Sequence, residues 1–117
     1  MYILNEKDKA YRHGDHGPKY LMKGPRMNFG LIQLNPGDDA GAHYHVIMEE
    51  NFYVLEGQLT IYVDGKEHIL SQGDFIHIEP EERHYLKNNG SVPCRFCMCL
   101  APFQMEAKVC VEFTPES

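Results

Sequence analysis

His43 and His45 stand two residues apart, Glu50 follows five residues later, and His84 lies further along the chain. If residues 42 to 46 are extended, side chains alternate between faces, so both imidazoles of the H-x-H pair leave the same side of one strand. Such a pair is a ready-made bidentate metal site. Glu50 opens the next apolar segment, Phe52 to Leu55, and can return to the same point from a neighbouring strand, with His84 as a fourth candidate. Three imidazole nitrogens and one carboxylate oxygen suit divalent first-row metals, and on an octahedral ion they leave two positions open for a chelating substrate, or for water and dioxygen. With neutral imidazoles and one carboxylate, the ion keeps a net charge of about +1 and remains a Lewis acid.

The elements that must position these groups are short strands. Met27 to Leu34 is apolar, β-suited and sharply ended by Asn35-Pro36-Gly37-Asp38. Further apolar segments fall at about 42–48, 51–55, 58–63, 67–70, 74–79, 83–87, 94–101 and 108–113, separated by turn residues. Asp64-Gly65 carries the strongest hairpin signal, since a type I′ turn needs positive φ at both central residues. No helical period of useful length is present; the one candidate, Gln104 to Lys108, is about one turn long. This punctuation predicts an all-β antiparallel sandwich or small barrel over 26–117, preceded by an arm over 1–25 in which residues 1–4 are a possible edge strand and Asn5 to Lys23 reads as loop.

Composition sets the outer bounds. The 117 residues are one domain by length, able to bury roughly two-thirds of the unfolded surface. Eleven Lys plus Arg against seventeen Asp plus Glu give a net charge of −6, which argues against nucleic acid and anionic membrane as partners. The expected partner is a small molecule. No apolar run approaches the roughly 20 residues of a membrane span, and Met1 to Glu6 lacks the charged and apolar regions of a signal peptide, so a cytoplasmic location is expected. In that compartment Cys94, Cys97, Cys99 and Cys110 should be thiols, and their place in an apolar strand predicts buried structural residues rather than a zinc knuckle.

Residues 37 to 57 match G-x5-H-x-H-x4-E-x6-G at every fixed position, through Gly37, His43, His45, Glu50 and Gly57. This is the first signature of the cupin family. Residues 73 to 88 resemble the second, G-x5-P-x-G-x2-H-x3-N, through Gly73, His84 and Asn88, although Glu79 and Glu81 stand where that signature has Pro and Gly. The spacing from Gly73 to His84 is unchanged, which implies an altered turn rather than a lost ligand. The resemblance implies a double-stranded β-helix, or jelly-roll β-barrel, of six to eight strands. It implies one divalent transition metal (Fe, Mn, Ni, Zn or Cu) on His43, His45, Glu50 and His84, and a homodimer in which Tyr2 to Leu4 could join the partner's sheet. The six-residue gap to Gly57 selects Glu50 over Glu49.

By alternation Phe52 and Val54 share the face of Glu50 and are expected to line the pocket, with Gln33, Tyr53 and Tyr85 as candidate hydrogen-bonding groups. His13 and His16 read as a polar loop, His68 as exposed and His77 as a half-buried wall residue. The functional expectation is a small metalloenzyme of isomerase, lyase or dioxygenase type acting on an oxygen-rich substrate. Its alternatives are a sugar- or carboxylate-binding sensor and a structural barrel.

Overall fold

The computed structural model describes residues 1–104, 108–113 and 115. Ten strands form two antiparallel five-stranded sheets that face each other. One sheet has the order β1 (Gly17–Lys23), β2 (Asn28–Leu34), β9 (Cys94–Ala101), β4 (Glu49–Glu56), β7 (Phe75–Ile78). The other runs β10 (Lys108–Cys110), β3 (Asp39–His45), β8 (His84–Lys87), β5 (Gln58–Val63), β6 (Lys66–Ser71). Consecutive strands repeatedly cross from one sheet to the other, the wiring of a double-stranded β-helix.

Alternation explains the core. Along β9, Cys94, Phe96, Met98 and Leu100 are buried while Arg95, Cys97, Cys99 and Ala101 are half-buried on the outer face. Phe96 meets Phe52 of β4 edge to face at 5.2 Å, and Leu34, Leu59, Ile61, Ile78 and Leu86 close around the pair. The β5–β6 hairpin turns through Asp64 (φ 49°) and Gly65 (φ 83°), as a type I′ turn demands. Gly57, the last residue of the first signature, has φ 76°, and a Cβ there would lie 2.4 Å from the Pro93 carbonyl oxygen. That position admits no side chain.

Three sequence expectations differ from the structure. Residues 1–5 form no strand within the chain; a 3₁₀ turn, Glu6–Asp8, follows them. The stretch read as loop contains β1, which pairs with β2 along its length. Its pattern was masked by Lys19, a residue type that reads as solvated but is 7 % exposed here, its Nζ donating to Glu6 Oε2 at 2.9 Å over the Tyr11 ring. Arg95 also donates to Glu6, so one carboxylate ties the N-terminal turn to both β1 and β9. The thiols divide by strand parity: Cys94 is buried, Cys97 and Cys99 are half-buried, and Cys110 is exposed. The helical candidate at 104–108 has residues 105–107 outside the described residues.

Asn88, the last residue of the second signature, is fully buried and donates to the carbonyls of Leu34 and Val92 while accepting from Gly90 N–H. Its replacement strands buried polar groups. Asn88→Ala should therefore lower unfolding free energy by about 2–3 kcal/mol in urea titration, and Gly57→Ala by a comparable amount. Native thiol labelling should modify Cys110 first and spare Cys94, whose thiol burial pushes up to about 11. Rapid labelling of Cys94 in the folded protein would contradict the inward register of β9.

Candidate metal centre

His43 and His45 leave the inner face of β3, Glu50 that of β4 and His84 that of β8, so the four side chains converge from both sheets. The β3–β8 register slips between Ala40 and His43, a bulge after which His43 stands directly opposite His84. Their rings are 4.3 Å apart between centroids. All four residues are at most 7 % exposed. One potential ligand atom from each lies within 4.8 Å of every other. Among the described residues this is the one such cluster.

Glu50 Oε2 is the focus. It lies 3.0 Å from His84 Nε2, 3.1 Å from His45 Nε2 and 3.8 Å from His43 Nε2. The far nitrogens of two rings are anchored to backbone: His43 Nδ1 lies 2.8 Å from the Gly41 carbonyl and His84 Nδ1 3.0 Å from the Glu82 carbonyl. A carbonyl only accepts, so each Nδ1 carries a proton and donates. Each Nε2 is thus aimed inward, the orientation that outer contacts give to metal-ligating histidines. A metal with bonds of about 2.0–2.2 Å holds its donors at most about 4.4 Å apart. The donor set fits one divalent ion after movements of a few tenths of an ångström.

Without an ion, protons must do the balancing. Burial alone would push the Glu50 carboxyl up, but the hydrogen bonds from His43, His45 and His84 outweigh it and hold the group well below the usual range. Burial pushes His84 the other way, and its contact with Glu50 prevails, so its pKa is raised. In the metal-free cluster the Glu50 carboxylate thus faces the His84 ring and favours its protonated form.

A cavity of about 270 Å³ opens onto His43, His45 and Glu50. Ile32, Leu34, Met48, Leu86, Met98 and Leu100 supply its apolar wall. Tyr20, Asn28 and Gln104 supply neutral polar groups, and Arg12, Lys23 and Lys108 supply positive charge. The sequence reading missed these contributions from β1 and its approach; the Tyr20-Leu21-Met22 run was the available signal. The expected pocket residues lie elsewhere. Phe52 and Val54 do share the face of Glu50, but β4 runs from the cavity into the closed core, where both are fully buried. Gln33 has the opposite parity to Ile32 and Leu34, and its Nε2 donates to the Asp15 carbonyl and Asn35 Oδ1.

Tyr53 is exposed, and Tyr85, opposite in parity to His84, donates outward to Asp39. His77, expected half-buried, is exposed and bridges Asn51 and Glu79, while His68 is half-buried. A second cavity of about 340 Å³ lies beside Tyr62, Tyr85 and Phe113, and His84 is the one member of the cluster among its lining residues. Burial first and then Asp39 push the Tyr85 hydroxyl up to about 12, which leaves it a neutral hydrogen-bond donor.

Two crossing antiparallel sheets with three inward histidines and a carboxylate define a double-stranded β-helix protein with a metal-type centre. The chain belongs to the cupin family: the profile described as cupin domain matches residues 30–100. It is similar to the tetracenomycin polyketide synthase protein TcmJ of Streptomyces glaucescens, 33 % identical over 73 residues that cover 62 % of this chain and 49 % of that protein. The chain thus spans about half the length of that relative. A shorter stretch resembles quercetin 2,3-dioxygenase of Bacillus subtilis, 46 % identical over 48 residues covering 41 % of this chain and 14 % of that one. Among solved structures, a Klebsiella pneumoniae protein with a double-stranded β-helix domain superposes with a TM-score of 0.81 at 19 % identity, covering 97 % of this chain and 99 % of that one. That likeness bears on the fold alone.

The two shifted groups give the metal-free protein a defined pH response. A carboxyl held below its unfolded value contributes stability above about pH 4.3 and loses it as pH falls. An imidazole raised above its unfolded value contributes below about pH 6.5 and loses it as pH rises through the folded value. Urea midpoints of metal-free protein should therefore peak between these limits. Glu50→Gln should flatten the alkaline decline, and an unchanged decline in that variant would separate it from this cluster.

Proposed function

We propose that the chain is a metal-dependent cupin in which His43, His45, Glu50 and His84 hold one divalent transition metal at the floor of the cavity, and that it is an enzyme acting on a small oxygen-rich substrate. The observation that carries this is the buried three-histidine, one-carboxylate cluster opening onto a cavity. When bound, such an ion supplies Lewis acidity and open positions at which two oxygens of a substrate can chelate. The chain's own residues then orient the ligands through Gly41 and Glu82, exclude water with the apolar wall, and grip the substrate with the polar groups of β1 and its neighbours.

Among the described residues lining the cavity, no carboxylate or imidazole stands outside the cluster to act as a separate general base. That favours dioxygen chemistry over proton-shuttling isomerase or lyase chemistry, and the stretch of similarity to a quercetin dioxygenase supports the same direction. The same lining, with no carboxylate or imidazole outside the cluster among the described residues, supports a second reading, reversible binding of a small ligand at the metal without turnover.

Elemental analysis of untagged protein, with dioxygen uptake followed on the same sample, tests the reading. Near-stoichiometric Fe, Mn, Ni or Cu and uptake dependent on an added enediol or diketone are expected; metal without uptake selects the binding role. His45→Ala and His84→Ala should each lose the metal while keeping the β-sheet circular dichroism. Full metal occupancy in the double variant would end the assignment.

A further inference from the structure

The protein carries a net charge of −6, yet the described residues lining this cavity include three cations. Its described lining includes Arg12, Lys23 and Lys108 and a single carboxylate, Glu50, which is already engaged by three histidines. The three cations arrive separately. Lys23 ends β1 and pairs in register with Asn28 of β2, itself in the lining; Lys108 begins β10 and pairs with His45 of β3; Arg12 precedes β1, its N–H bonded to the Pro18 carbonyl. Cross-strand partners share a face, so Lys108 stands on the side of the sheet that carries His45. Both sheets therefore direct positive charge at one opening.

None of the three is ion-paired with a carboxylate among the described residues, whereas Lys19 and Arg95 close by share Glu6. Solvated lysines need no explanation on an acidic surface where partners abound. Three cations without an ion-pair partner among the described residues around one cavity, in a chain with six more acidic than basic residues, do. Lys23 Nζ lies 5.3 Å from the centre of the Tyr20 ring, which keeps the ammonium beside an aromatic face that also lines the cavity.

We infer that the cavity takes a small organic anion, its carboxylate held by Arg12, Lys23 and Lys108 while an adjacent pair of oxygens faces the histidine–glutamate cluster. This rests on the metal reading above and narrows its substrate class. The volume, about 270 Å³, falls just below the roughly 300–1,000 Å³ typical of ligand pockets, which suits a compact acid rather than a long chain. Charge-assisted bonds to a carboxylate, in a cavity walled by aliphatic side chains, supply discrimination that a neutral analogue forfeits.

The test uses metal-loaded protein and two probes with the same vicinal oxygen pair, catechol and 3,4-dihydroxybenzoate, which differ by one carboxylate. In calorimetric titration at low ionic strength the acid should bind at least about tenfold more tightly. The gap should shrink to under about threefold in Lys23→Gln/Lys108→Gln and again at high salt, with the metal content of the variant unchanged. Equal affinities in the unaltered protein, or a gap that survives the double substitution, overturn the inference and leave the metal centre standing. No metal uptake by the unaltered protein overturns both.

Discussion

A carboxylate buried between two sheets is the constraint on which the rest depends. Glu50 sits in an apolar interior and remains charged because three Nε2 atoms converge on one of its oxygens. Removing an ion from water costs several kcal/mol that only near-ideal geometry offsets. The bulge after Ala40, the anchoring of two Nδ1 atoms by backbone carbonyls and the facing of β3 with β8 all serve that geometry. The ligand atoms of such a cluster could hold a cation. Hydrophobic residues of similar volume would hold the sheets together without the electrostatic cost.

The parts of this arrangement that depend on local spacing were legible. Side-chain parity brought His43 and His45 to one face, and the Asp64-Gly65 hairpin and the position of Gly57 follow from backbone conformations that few residue types accept. The altered turn at Glu79 to Glu82 left His84 in place, since Glu81 takes the positive φ (72°) and its N–H bonds the His45 carbonyl. What depended on long-range packing was not legible. Parity told which face Phe52 and Val54 occupy but not how deep β4 runs, so residues of the closed core were expected in the pocket. β1 was hidden because Lys19 is buried by virtue of Glu6, a contact spanning 13 residues that no local pattern announces.

The thiols make the same point from the other side. An apolar strand carrying Cys94, Cys97 and Cys99 reads as wholly inward, yet β9 is central in its sheet and its second face is covered only in part. Cys97 and Cys99 lie on that face. Burial raises both thiols, with Arg95 opposing the shift at Cys97 and Glu49 adding to it at Cys99, so neither has the lowered pKa that marks a reactive cysteine. Among the described residues, the group that could hold a metal lies between the sheets.

That location couples the centre to the stability of the whole barrel. His43, His45 and His84 belong to one sheet and Glu50 to the other, so an ion bound by all four would join the two sheets at that point. An ion with no matching site in the unfolded chain stabilises the fold by about 2.7 kcal/mol when present at a hundred times its dissociation constant. A metal bound there would compete with protons for the same histidine nitrogens, so raising the pH, which weakens the metal-free cluster, would strengthen a metal-bound one. The metal-free and metal-bound proteins therefore depend on pH in opposite senses on the alkaline side. Glu50 is the carboxylate on which the histidines of the opposite sheet converge, so any ligand taken up there would be felt across both sheets.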